Sequence, residues 1–325
     1  MREASFVKQN KEKWILFEKA LHGNIKINPD DLATYYIQLT NDLSYAQTYY
    51  PESKTLAYLN SLTTEAHQKI YKNKTESRSK IKNFWLYEFP LFFGQHQKTL
   101  LYTFLFFFVF VLIGVISTLN DDSFIRLILG NHYVNMTIKN IEKGEPMAVY
   151  RSGSNIGAFL GITINNIKVG FYAFAMGAIF SVGTIFILLR NGIMLGSFVT
   201  FFYKYGLLEK TSTIWLHGTI EIWVIIIAGC AGLAMGNSFL FPKTYTRRVS
   251  FMKGAKDGLK IMISTLPFFI IAGFIEGFIT RYGDFMPSFI AYTIIFLSLT
   301  LVVYYYIVYP IIINKKHAKV HRTEK

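Results

Sequence analysis

Residues 99–119 read TLLYTFLFFFVFVLIGVISTL, 21 positions without one charged side chain. At about 1.5 Å of rise per residue, a helix of that length crosses the roughly 30 Å hydrocarbon layer of a bilayer. Comparable apolar runs follow at 169–189, 193–208, 214–241, 261–279 and 289–313. The third is the shortest and carries Lys204, whose long stem lets its ammonium reach an interface. The expectation is an all-α fold: a polytopic helical integral membrane protein of about six transmembrane helices, entered from an N-terminal soluble helical bundle.

The bulk properties agree. Of the 325 residues, 52% are hydrophobic and 17% aromatic, too apolar for an ordinary soluble domain of this size. The net charge of +14 comes from lysines and arginines that flank the apolar runs, where membrane topology puts them, so no nucleic-acid partner is expected. The single cysteine, Cys230, lies inside an apolar run and cannot form an intrachain disulfide. No signal peptide is expected, because the N-terminus is charged and the first long apolar run begins only at Thr99.

Ahead of the spans, residues 1–80 read as a cytoplasmic helical bundle. Phe6, Trp14, Ile15, Phe17 and Leu21 make one helical stripe. Asn28-Pro29-Asp30-Asp31 is a helix start, followed by Leu32, Tyr36, Leu39 and Leu43 up to Pro51. A third helix is expected from Glu52 to Lys74, with Leu56, Leu59, Leu62, Ala66 and Ile70 inward. Residues 81–98 contain Phe84-Trp85-Leu86-Tyr87-Glu88-Phe89-Pro90, too short to span and rich in aromatics; they read as an interfacial elbow bent at Pro90. The membrane domain then occupies 99–313 and a basic cytoplasmic tail 314–325.

Orientation follows from the basic residues. Lys243, Arg247, Arg248, Lys253, Lys256 and Lys260 fill one connection, and Lys315, Lys316, Lys319, Arg322 and Lys325 fill the tail. Six spans put both, and the basic approach to the first span, in the cytoplasm. The outer segments are then 120–168, about 209–213, and 280–288. A re-entrant third segment would separate the two basic ends, so six full spans are expected.

The fourth span opens Trp215-Leu216-His217-Gly218-Thr219-Ile220-Glu221. His217 and Glu221 are four apart and share a helix face, which continues through Ala228, Gly232 and Gly236. A face that is ionisable at one end and small along the rest needs another helix against it. The second span offers Ala173, Gly177 and Ser181, and the third Gly192, Gly196 and Thr200. Spans two to four are therefore expected to form a tight core, with the Phe-rich first span more peripheral. His217 and Glu221 read either as structural hydrogen bonding at a helix start or as a metal, proton, ligand or partner site near the outer face. A third zinc ligand is not obvious, so neither a metal nor a cofactor is expected. Glu276 lies near the outer end of the fifth span, where it is a functional suspect or a hydrated structural carboxylate. Asn165-Asn166 reads as the cap of the second span, and Arg190-Asn191-Gly192 as a tight cytoplasmic turn between the second and third. The common catalytic signatures, from the P-loop to His-Glu-x-x-His, are missing, so an enzyme is not expected.

These residues resemble the stage II sporulation protein M family in its larger form. The resemblance rests on Phe6-Val7-x-x-Asn10-x-x-x-Trp14, Phe89-Pro90, Asn165-Asn166, Asn191-Gly192, His217-Gly218-x-x-Glu221 and Ala228-Gly229-x-Ala231-Gly232-Leu233. Leu216 departs from it, standing where the family usually has Pro. The resemblance implies a multispan bacterial protein without enzymatic activity, a scaffold that in spore formers gathers peptidoglycan-degrading partners. Larger members are often encoded beside an AAA-type ATPase, which makes such a system a candidate partner for the cytoplasmic bundle. Self-association is a further expectation, and a transporter or channel with a polar entrance at His217, Glu221 and Glu276 is the alternative.

Overall fold

The computed structural model describes residues 2–22, 28–70, 78–151 and 154–323, and among these there is no strand. The chain divides into two units, Met1–Lys80 and Ile81–Lys325.

The first unit holds three helices, α1 (Glu3–Leu21), α2 (Pro29–Tyr49) and α3 (Lys54–Ile70). Phe6, Trp14, Phe17, Leu21, Leu39, Ala46, Leu59, Leu62 and Ala66 are buried together at its centre. Three side-chain hydrogen bonds tie the helices across that core. Trp14 Nε1 donates to Asp42 Oδ2 at 2.8 Å, Thr55 Oγ1 to Glu3 Oε1 at 2.7 Å, and the Tyr58 hydroxyl to Glu18 Oε2 at 2.9 Å. The helix start expected at Pro29 is where α2 begins. The expected end of the third helix at Lys74 lies outside the described residues.

Among the described residues of the second unit, six helices are long and apolar enough to cross a membrane, so the protein is a multi-pass membrane protein. They are α4 (Phe84–Asn120), α7 (Asn155–Ala178), α8 (Val182–Lys204), α9 (Leu208–Leu240), α10 (Arg247–Gly283) and α11 (Ser288–Ala318). Between α4 and α7 lie two short helices, α5 (Phe124–Leu129) and α6 (Asn131–Glu142). Their Ile125 and Val134 pack on Phe201 and Phe202 of α8, and Asp122 pairs with Lys204 at the end of α8.

Several boundaries differ from the sequence expectation. The second span begins at Asn155 rather than 169, capped by Ser154, whose hydroxyl accepts from the Gly157 N–H at 3.1 Å. Asn165 and Asn166 are therefore inside a helix and cap nothing. The turn between the second and third spans is at Met176–Ser181, where Phe180 and Ser181 take left-handed backbone angles (φ 50° and 66°). Arg190, Asn191 and Gly192 lie within α8 and form no turn; the Asn191 side chain donates to Ile187 O of its own helix. The basic stretch before the fifth span is mostly helix as well. Thr246 caps α10, and Ser250, Gly254 and Gly258 bury a small-residue face there while the lysines point outward. A Cβ on Gly254 would strike Ser238, and one on Gly258 would meet Ala231 O and Phe174, so α9 lies directly against this face.

Among the spans α9 is the most enclosed: 72% of its apolar window is buried, against 22% in α4, α7 and α11. Lipid chains are as apolar as leucine, so spans are held by close packing rather than by escape from water. The stripe of α9 shows this. A Cβ on Gly232 would meet Ala173 O and Thr184, and one on Gly236 would meet Ser181 and Gly177 O. Thr184 Oγ1 donates to Ala173 O at 2.7 Å, locking the α7–α8 hairpin beneath α9. The α8 stripe turns elsewhere: Gly192 and Gly196 receive the backbone of α4 at Phe107 and Val111, and Gly114 of α4 receives Ile193 O. The first span is thus an intimate partner of the third and not peripheral to it, because glycines on both helices admit the other's backbone. Its aromatic entry segment belongs to the membrane unit. Phe89 and Phe93 are buried against Tyr306, and Gln97 Nε2 donates to Tyr306 O at 2.8 Å.

Candidate functional site

Four of the five polar residues named from the sequence converge. His217 and Glu221 are one turn apart on α9, within the first turns after Ser212. Glu276 comes from α10, from a π turn at Ile275–Ile279, a wider turn that often marks functional positions in helices. Asn166 reaches in from α7 and donates its amide to Glu221 Oε1. Asn165, its neighbour, is exposed and takes no part.

The imidazole is the anchor. His217 is 4% exposed; its Nδ1 is 2.9 Å from Thr280 Oγ1 and its Nε2 is 3.6 Å from Glu276 Oε2. Thr280 is itself buried and was not picked out in the sequence, although it follows Glu276 by four positions. A carboxyl oxygen of Glu221 lies within 4.8 Å of one of Glu276. One ligand atom from each of His217, Glu221 and Glu276 lies within 4.8 Å of the others, a set able to hold a metal ion. Sequence spacing did not reveal Glu276 as the third member of this set, because it is 55 positions from Glu221 and only the packing of α10 against α9 brings them together.

Glycines make this convergence physically available. Gly273 sits against Thr163, and Gly277 against Phe159 and Asn155 O, so α7 approaches α10 on both sides of Glu276. Further along, the stripe residues Ala173, Gly177 and Ser181 of the hairpin meet Gly232 and Gly236, while Ala228 is fully buried. Leu216, beside the anchor, is fully buried inside an unbroken α9. Gly192 and Gly196 form a separate seam with α4, Thr200 is buried further along α8, and none of the three belongs to the polar junction. Arg190 is exposed on α8, away from this junction, where its long stem can carry the charge toward an interface.

A helical membrane protein closed around a His–Glu–Glu junction with a buried imidazole is what the fold and site define. The chain belongs to the Stage II sporulation protein M family, which it matches over residues 103–281, more than half its length and inclusive of every residue of the junction. Residues 4–72 match separately a Domain of unknown function (DUF8413). Among curated proteins it is similar to "Uncharacterized protein MJ0706" of Methanocaldococcus jannaschii, 25% identical over 228 residues, covering 69% of this chain and 94% of that protein. No solved structure matches significantly.

Proposed function

We propose that the chain is a non-enzymatic membrane assembly protein, seated in the bacterial cytoplasmic membrane with both termini on the cytoplasmic side. One observation carries this reading: the chain combines two separately cored units, and the one outside the membrane spans matches a domain of its own. A module with its own core and a polar exterior is suited to docking, while a membrane unit closed by small-residue seams is suited to a fixed platform. The orientation is supported by Lys243, Arg247, Arg248, Lys253, Lys256 and Lys260 between the fourth and fifth spans and by Lys315 and Lys316 after the sixth. Membrane or envelope proteins, an AAA-type ATPase system on the cytoplasmic side, and a second copy of the chain are the partners this reading expects.

Cross-linking followed by purification in mild detergent tests it. The full chain is expected to retain a partner or a second copy, and a chain lacking residues 1–80 to lose the soluble partner while keeping its fold. A solitary monomer in both cases would remove the reading. The His217–Glu221–Glu276 junction favours a second one, in which the protein moves an ion or small solute. Proteoliposomes that show no flux across a panel of ions and solutes would dispose of it.

A further inference from the structure

We propose that His217, Glu221 and Glu276 bind one divalent transition-metal ion between α9 and α10. The inference does not rest on the assembly reading, and either can fail alone.

The argument begins with charge. Two carboxyl groups with oxygens within 4.8 Å of each other inside a membrane helix bundle cannot both stay ionised unless positive charge sits between them. Among the described residues no lysine or arginine forms an ion pair with Glu221 or Glu276. A divalent cation balances two carboxylates and leaves the junction neutral, the least costly state in low dielectric. Geometry agrees. Ligand atoms about 2.0–2.2 Å from a tetrahedral ion lie roughly 3.3 Å apart. His217 Nε2 and Glu276 Oε2 are 3.6 Å apart, and the widest separation in the trio is 4.8 Å, which small side-chain rotations close.

The donor set selects the kind of ion. Calcium and magnesium prefer all-oxygen shells of six or more, whereas one imidazole with two carboxylates suits zinc and its neighbours, with a fourth position left open. The outer contacts are those that ligands of such ions have. Thr280 holds His217 Nδ1, so the other ring nitrogen faces the carboxylates, and the Asn166 amide holds Glu221 from the α7 side. Asn166, His217, Glu221 and Thr280 thereby link three spans through one point.

The test uses the full chain in mild detergent, stripped with a chelator, desalted and titrated with Zn²⁺, Co²⁺ or Mg²⁺ alone. One zinc per chain is expected by elemental analysis, with a concentration-dependent rise in the unfolding midpoint and a visible d–d band for Co²⁺. Glu276→Gln keeps the side chain's size and is expected to weaken zinc binding at least tenfold. Thr280→Val is expected to weaken it roughly tenfold to a hundredfold without removing a ligand. Absence of bound zinc in the wild-type chain would overturn the proposal, and that measurement stands whatever the variants' folding. So would equal zinc binding by Glu276→Gln, or a midpoint shift by Mg²⁺ at the same concentrations.

Discussion

In the N-terminal unit, Phe6, Trp14, Phe17, Leu59 and Leu62 meet at the centre of three helices; in the membrane unit, spans close on one another at Gly177, Gly192, Gly196, Gly232 and Gly236. The difference is one of solvent. Water drives large apolar side chains together, so a small bundle gains most from its bulkiest residues. Lipid gives no such drive, and there the gain comes from bringing backbones close enough for dispersion and short polar contacts. The exposed faces tell the same story: Phe106, Phe108 and Ile116 of α4 stay outward without cost in a bilayer. Large residues hold the first unit together, whereas in the membrane unit small ones set the helix spacing and buried rings such as Phe93, Phe269 and Tyr306 fill in beside them.

The comparison can be broken from either side. Phe17→Ala removes a ring that is 2% exposed and should cost about 3–5 kcal/mol. Hydrogen exchange on the full chain should then show α1–α3 losing protection while α9 keeps it. Loss in both would mean that the two units do not fold separately. Gly232→Val places methyl groups on Ala173 O and the Thr184 hydroxyl, an overpacking cost of about 1–3 kcal/mol, read as a lower unfolding midpoint in detergent. Phe108→Ala, a larger change in volume on an exposed face, should leave that midpoint unmoved. Thr184→Val deletes the hydroxyl bond to Ala173 O and should cost about 0.6 kcal/mol by the same measurement, as interhelical hydrogen bonds in membranes do.

The last effect belongs to pH. Burial, and then the bond to Glu18, push the Tyr58 phenol up to about 12 from an ordinary 10.0. The folded unit keeps this proton in a range where the unfolded chain releases it. The resulting stabilisation is full below the ordinary value and disappears as pH climbs through the raised one. Tyr58→Phe should flatten that fall. Trp14, whose ring is 6.3 Å from that of Tyr58, reports it by fluorescence once Trp85→Phe, Trp215→Phe and Trp223→Phe are in place.

Much of this was legible in the sequence, for identifiable reasons. Six apolar runs and a helical stripe through Phe6, Trp14 and Phe17 are periodic signals, and the helices follow them. His217, Glu221 and Glu276 stood out because ionisable groups are rare in spans, and they meet. The α7–α8 turn was hidden because Ile179, Phe180 and Val182 are as apolar as the spans around them, while Arg190-Asn191-Gly192 looks like a break but sits in α8. Pairing of spans was hidden too. Gly192 and Gly196 announce a close neighbour, yet nothing local says that it is α4. The Ser250, Gly254 and Gly258 face was present at the same spacing of four, masked by the lysines threaded through it.

The π turn at Ile275–Ile279 has a consequence for the numbering of the helix itself. It stores one surplus residue, so the helix before it and the helix after it run out of phase by about 100°. Gly273, which admits α7, lies on the near side, and Thr280, which steadies His217, on the far side. Deleting a single residue inside the turn would erase the offset. The chain would keep its length in the bilayer almost unchanged while Thr280 swung away from the imidazole. Register, rather than composition, holds this junction together.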